Sequence, residues 1–170
     1  IHIDAAQAWG KVPADLARLN AHYVTFSAHK IGALAGTGFV WVNRGVPVHP
    51  ILLGKQEKGR RGGTENTVGI YAAGIAAKYI NPQQFQEQLA PLRDRLQSVI
   101  CEQIPGTWVN GGSAENRVAN TLNLSFEGVE GDGLVMAMDL AGYSVSSGSA
   151  CSSGVLEPSH VLRAMGRTPA

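Results

Sequence analysis

The sequence predicts an α/β protein, and three observations point there. Short runs of β-branched and aromatic residues alternate with longer stretches whose apolar residues recur at helical spacing. Glycine accounts for 21 of the 170 residues, above ordinary usage, and gathers in the turns between those runs, as it does where a backbone approaches a ligand. The apolar fraction of 44% suffices for a packed core, yet no apolar run approaches the ~20 residues of a membrane-spanning helix.

Each element can be read in order. Residues 1–4 form a short buried strand. Pro13-Ala14-Asp15-Leu16 opens a short helix with Leu16 and Leu19 on its apolar side. Residues 23–27, Tyr-Val-Thr-Phe-Ser, make a second strand, and residues 36–43 are a glycine turn feeding a third. Residues 46–53 read as extended, with Pro47 and Pro50 suggesting an edge. Residues 54–67 are rich in glycine and basic residues and read as a loop. Residues 68–79 are small and apolar at helical spacing. Pro82 breaks the chain. From Gln83 to Ile104, one stripe of Phe85, Leu89, Leu92, Leu96, Val99 and Ile100 marks a long amphipathic helix. The domain boundary is placed there, giving 1–81 and 82–170. The second part reads strand (118–126), helix (132–140), strand (143–146), a loop of very small residues (147–154) and a last helix from Pro158, an α+β order.

Composition narrows the function. Fourteen basic and 13 acidic residues leave a formal net charge of +1, without the basic footprint of a general nucleic-acid binder or an acidic disordered tail. Two cysteines, Cys101 and Cys151, are too few for a disulfide scaffold and fit a reducing compartment; a cytoplasmic location is expected. His2, His22, His29, His49 and His160 lack ligand spacing, so no metal site is expected. The chain opens on Ile1 inside a strand and stops just past Gly166, so it is expected to be an internal piece of a longer protein.

Four segments can carry chemistry. Ser27-Ala28-His29-Lys30 lies at a strand end, where open α/β sheets bind ligands; a lysine there, with its proton affinity lowered by burial, can form a Schiff base, although four letters alone favour a surface lysine. Asp4-Ala5-Ala6-Gln7 offers a carboxylate for a protonated ring nitrogen and an amide for a phenolate oxygen, or simply a helix cap. Gly59-Arg60-Arg61-Gly62-Gly63-Thr64-Glu65-Asn66 combines backbone N–H groups and guanidinium charge suited to phosphate or carboxylate, or a solvated loop. Cys151 sits among serine, glycine and alanine, a setting expected to be exposed and mobile so that a thiol can reach an electrophile, or an incidental turn. Cys101 lies beside the stripe of the long helix and reads as core.

Taken together, His2-Ile3-Asp4-Ala5-Ala6-Gln7 with Gly10-Lys11, Ser27-Ala28-His29-Lys30, the run from Gln56 to Asn66 and Ser146-Ser147-Gly148-Ser149-Ala150-Cys151 resemble the pyridoxal-phosphate cysteine desulfurases of the class V aminotransferase family, in their NifS/IscS-like group. The resemblance implies an aspartate-aminotransferase-like fold (fold type I), with residues 1–81 as the later half of a large, mainly parallel-sheet domain and 82–170 as most of a small α+β domain. It implies pyridoxal 5'-phosphate bound covalently to Lys30, Asp4 on the pyridine nitrogen, Gln7 on the phenolate oxygen, Ser27 and His29 on the phosphate, and Thr64, with Arg61 beside it, reaching the phosphate of a neighbouring subunit in a homodimer. Cys151 would take the sulfur of L-cysteine as a persulfide, leaving L-alanine, and pass it to an acceptor or scaffold protein for iron–sulfur clusters or thiolation.

The sequence departs from the family pattern at Gly32-Ala33-Leu34-Ala35-Gly36, where Gly-Pro-Lys-Gly is usual, and at Leu53-Gly54-Lys55, where glycines are usual. The resemblance also places the ring-stacking histidine and a substrate asparagine before residue 1 and the substrate-carboxylate arginine beyond Ala170, with Arg163 and Arg167 no obvious replacements; this piece alone is expected to be inactive. The alternatives are a selenocysteine lyase and a cofactor-free binding or dimerisation module.

Overall fold

The computed structural model describes residues 1–147 and 159–167. The chain forms two compact units, Ile1–Leu92 with Val118–Asn120, and Arg93–Arg117 with the chain from Thr121 on. They part within a long helix, one residue past Pro91, further along than the 81/82 boundary read from Pro82.

The first unit is built on one three-stranded sheet, β1 (His2–Asp4), β2 (Tyr23–Ser27) and β3 (Gly38–Val42), in the order β1-β2-β3. β1 runs parallel to β2, with His2 opposite Tyr23 and Asp4 opposite Thr25. β3 returns antiparallel, from Tyr23 opposite Val42 to Ser27 opposite Gly38. The central strand alternates as a half-buried strand should: Val24 and Phe26 are buried, and with Ala5 and Ala21 they form the core on which Ile3, Trp9, Leu16, Leu19 and Trp41 pack. Trp9 meets Phe26 edge to face at 5.7 Å between centroids, and Phe26 stacks on Phe39 at 4.7 Å, geometries that aromatic quadrupoles favour.

Two expected elements of this unit do not form. Residues 13–19 make one turn rather than a helix: Asp15 Oδ1 accepts the Ala17 N–H at 3.0 Å and the Asp15 carbonyl accepts those of Arg18 and Leu19. A segment this short cannot repay helix nucleation, and its leucines reach the core without it. Residues 46–53 carry no ladder, because Pro47 and Pro50 remove two donors; Tyr23 Oη instead donates to the Pro47 carbonyl at 2.6 Å. The expected loop contains one irregular helical turn, α1 (Gln56–Gly59), in which Glu57 and Lys58 have φ of 49° and 61°. The helix expected over 68–79 is present as α2 (Thr67–Tyr79). The long helix, α3 (Pro82–Gln103), starts on its proline, the position where a missing N–H costs nothing, and Asn81 Oδ1 accepts the Gln84 N–H at 3.1 Å.

In the second unit β4 (Thr107–Val109) pairs antiparallel with β5 (Leu124–Phe126). The strand expected over 118–126 is thus only its last three residues, because only those find a partner. Helix α4 (Gly131–Leu140) ends on Gly142 at φ 84°, where the Tyr143 N–H returns to the Met138 carbonyl at 2.8 Å. That closure takes up the backbone at the start of 143–146, and no strand forms there. The last helix, α5 (His160–Ala164), is short. Asn110 is the polar centre of this unit: its Nδ2 donates to Asn123 Oδ1 at 2.8 Å and Ser125 Oγ at 2.7 Å, and its Oδ1 accepts from Arg167 Nε at 2.7 Å. Among the described residues no helix is long and apolar enough to cross a membrane.

Candidate functional site

Parallel pairing puts the carboxyl ends of β1 and β2 at one end of the sheet, the end at which open α/β sheets take ligands. β1 stops at Asp4. Its Oδ1 accepts the Ala6 N–H at 2.9 Å, which fixes the carboxylate at the head of the turn carrying Gln7; no helix follows for it to cap, and among the described residues its second oxygen makes no hydrogen bond. β2 stops at Ser27, and one 3-10 turn, Ala28–Ile31, presents His29 and Lys30. Gly32 closes that turn at φ 85°, a conformation that favours glycine. Ser27 Oγ and His29 Nδ1 are hydrogen-bonded at 2.9 Å, which occupies Nδ1 and leaves Nε2 for a ligand.

Lys30 is exposed, as the four letters alone favour and not buried as the Schiff-base reading supposes, because its turn projects past the last paired residue of β2. Among the described residues its amine makes no hydrogen bond or ion pair. The buried lysine is Lys11, 9% exposed, whose Nζ donates to Gln7 Oε1. Burial pushes the Lys11 ammonium below the ordinary lysine range, and repulsion from Lys30 adds to the shift. No role for Lys11 follows from the sequence alone; the signal that was there is its position four residues after Gln7, the spacing at which side chains on a helical turn meet.

The arginine–glycine segment is more ordered than a solvated loop. Gln56 and Arg61 form a bridge. A Cβ on Gly54 would stand 2.4 Å from Gly62 Cα, and one on Gly62 would stand 2.4 Å from the Leu53 carbonyl oxygen, so these glycines close the loop upon itself. Arg61 and Thr64 are exposed on it. Its far end is anchored by Asn66, which caps α2 through the Gly69 N–H and donates Nδ2 to Thr37 Oγ1. Thr37 in turn accepts the Ala28 N–H at 3.0 Å, and α2 packs on the turn of Lys30.

The structure therefore brings together Asp4, Gln7, Ser27, His29 and Lys30 at one sheet end and adds Lys11 to them. Thr64 and Arg61 make no hydrogen bond or ion pair with that group. Cys151 lies outside the described residues. Arg167 serves the second unit, donating to Asn110 and, through Nη2, to the Val109 carbonyl at 3.1 Å.

Comparison with known proteins identifies the family. The aminotransferase class-V family model matches residues 1–168. The chain is 46% identical over 167 residues to a cysteine desulfurase of Gluconacetobacter diazotrophicus, covering 96% of this chain and 42% of that protein. It is 43% identical over 169 residues to cysteine desulfurase NifS of Azotobacter vinelandii, covering 96% and 41%. Among solved structures, a NifS-like protein superposes with a TM-score of 0.82 at 33% identity, covering 97% of this chain and 42% of that one. DndA from Streptomyces lividans does so at 0.74 and 36% identity, covering 98% and 48%. The chain spans less than half the length of these relatives. Its fold is the aspartate-aminotransferase type, and it belongs to the class-V aminotransferase family.

Proposed function

We propose that the chain is part of a pyridoxal-phosphate-dependent cysteine desulfurase, which converts L-cysteine to L-alanine and holds the released sulfur as a persulfide on Cys151. The observation that carries this reading is the parallel register of β1 and β2, with Asp4 and Gln7 following one strand and Ser27, His29 and Lys30 the other. Similarity to the cysteine desulfurases supports it.

The donor set fits the cofactor. Lys30 supplies an amine for its aldehyde that is unengaged among the described residues. The Asp4 carboxylate has one oxygen held by Ala6 N–H and one to accept the pyridinium N–H. Gln7 suits the phenolate oxygen, and Ser27 with His29 suits the phosphate. Thr64, beside Arg61, would serve the phosphate of a second subunit in a homodimer. When bound, the group supplies an electron sink for the pair released at the substrate Cα.

The chain's own residues do the rest. Lys30 would hold the group covalently by its amine and would carry a proton to and from the substrate Cα. Asp4 keeps its ring partner protonated by standing as its counter-charge. The Cys151 thiolate attacks the substrate sulfur: the new S–S bond forms as Cβ–S breaks, the electron pair passes to Cβ, and Cβ takes up a proton. Alanine leaves, and the persulfide sulfur passes to an acceptor or scaffold protein for iron–sulfur clusters. A cytoplasmic setting completes the reading.

The test uses the full-length protein. Cys151→Ser is expected to keep the visible absorbance of the bound cofactor while alanine formation from cysteine stops. Borohydride is expected to fix the cofactor to Lys30, and Lys30→Ala to abolish that label. Sulfide release by Cys151→Ser at the parental rate, or a protein that stays colourless with pyridoxal phosphate supplied, would overturn the proposal.

A further inference from the structure

We propose that Lys11 is a positioning residue for this site: its ammonium holds the Gln7 side chain by Oε1 and so turns the Nε2 donor of Gln7 toward the bound ligand. The inference rests on the desulfurase reading, since it assigns the Gln7 donor to the ring oxygen of pyridoxal phosphate.

The two ends of a carboxamide have nearly the same shape, and an unconstrained glutamine presents either. A lysine ammonium has three donors and no acceptor. A side chain hydrogen-bonded to Lys11 Nζ must therefore offer Oε1, as Gln7 does, and its two N–H donors are left for other partners. A phenolate oxygen needs a donor. With the amide reversed, two acceptor oxygens would face each other.

Lys11 is itself held from several sides. Gln86 Nε2, from α3, donates to the Lys11 carbonyl at 2.8 Å. Gly10 just before it has φ 77°, and a Cβ there would lie 3.0 Å from Ile31 Cγ2, on the turn that carries Lys30. The residue is nearly buried. Keeping a cation there is unfavourable in itself, since burial and the Lys30 charge both oppose the ammonium; methionine would fill the same space without that cost. A role in orienting Gln7 explains why a donor stands where an apolar side chain would pack.

The test is a double-mutant cycle in the full-length protein with Lys11→Met, Gln7→Ala, the double variant and Lys11→Arg. The readouts are the dissociation constant of the apoprotein for pyridoxal phosphate and the position of the visible absorbance band. Lys11→Met is expected to weaken cofactor binding about fivefold, the effect of one net hydrogen bond, and to shift the band. The double variant is expected to bind no more weakly than Gln7→Ala, because the two side chains act as a unit. Lys11→Arg, which keeps a cationic donor, is expected to hold the parental band, and it reports on the proposal even if the methionine variant fails to fold.

Additive losses in the double variant, or a folded Lys11→Met with parental affinity and band while Gln7→Ala changes both, would overturn the role of Lys11 and leave the desulfurase reading intact. If Gln7→Ala also changes neither, the Gln7 assignment falls and the Lys11 proposal with it. Borohydride labelling of Lys30 then decides separately whether the chain binds the cofactor.

Discussion

Asn66 donates its side-chain amide to Thr37 Oγ1 at 3.2 Å. The same side chain accepts the Gly69 N–H at 3.1 Å, and the Thr37 carbonyl accepts the N–H of Ala28, the first residue of the turn bearing His29 and Lys30. One asparagine thus joins the end of the arginine loop, the start of α2 and the turn of the candidate nucleophile. The joint is tight: a Cβ on Gly69 would stand 2.0 Å from Thr37 Oγ1 and 2.7 Å from Asn66 Nδ2.

Gly69→Ala is therefore expected to break the joint and destabilise the protein by about 1–3 kcal/mol, the usual cost of forcing a methyl into filled space. Gly74 lies on the same helix with nothing within 4 Å of a Cβ. Gly74→Ala is expected to stabilise by about 0.5–1 kcal/mol through helix propensity alone. Urea denaturation of both variants checks the pair, and equal stability would show that the contact with Thr37 does not constrain Gly69.

The arginine loop makes a second prediction. Gly62 lies so close to the Leu53 carbonyl oxygen that an added Cβ would stand 2.4 Å from backbone, which cannot swing away as a long side chain can. Gly62→Ala is expected to open the closure between residues 54 and 62 and to lose amide-exchange protection over that segment, with protection of β2 retained. Unchanged exchange at residues 54–62 would mean that the loop is not closed by its glycines.

Much of this architecture is legible in the sequence, and the parts that are not share a cause. β2 announces itself because Tyr23-Val24-Thr25-Phe26-Ser27 alternates and is β-branched, and α2 and α3 because their stripes persist over several turns. Pattern states which residues can be buried, not which partner is available. Residues 118–123 and 143–146 read as strands yet remain outside the ladders, while β4, three residues long, is too short to signal itself. The site divides the same way. The strand-end segments around Asp4 and Lys30 are legible because they follow the strands. Lys11 is not, because a buried lysine and an exposed one are the same letter, and only the fold shows which of two lysines is covered.

Asn110 illustrates a polar group whose role appears only in three dimensions. It is 4% exposed, and its carboxamide gives two hydrogen bonds to the β5 side and receives one from Arg167. Asn110→Ala leaves Asn123, Ser125 and Arg167 without these bonds and is expected to cost about 1–3 kcal/mol. Arg167→Ala removes one of the three contacts together with the bond to the Val109 carbonyl, and is expected to cost less. Thermal melts of the two variants check the order, and a larger loss for Arg167→Ala would show that the arginine, not the asparagine, organises this unit.

Lys11 also makes stability depend on pH, in a direction that burial dictates. Its folded-state value lies below the ordinary lysine value of 10.5, first through burial and then through Lys30. Between the two values the unfolded chain binds the proton more readily than the folded chain, so stability rises with pH there. Below the folded value both states are protonated, and the full cost of the buried ammonium is carried. As pH climbs toward 10.5 that cost is relieved, and the neutral amine can still donate to Gln7. Lys11→Met lacks the titrating group while sharing every other lysine, whose effects largely cancel in the comparison. The difference in denaturation free energy between the parental protein and the methionine variant is therefore expected to shift in favour of the parental protein as pH rises from about 7 toward 10.5. Parallel curves would mean that the ammonium of Lys11 meets no penalty in the folded protein.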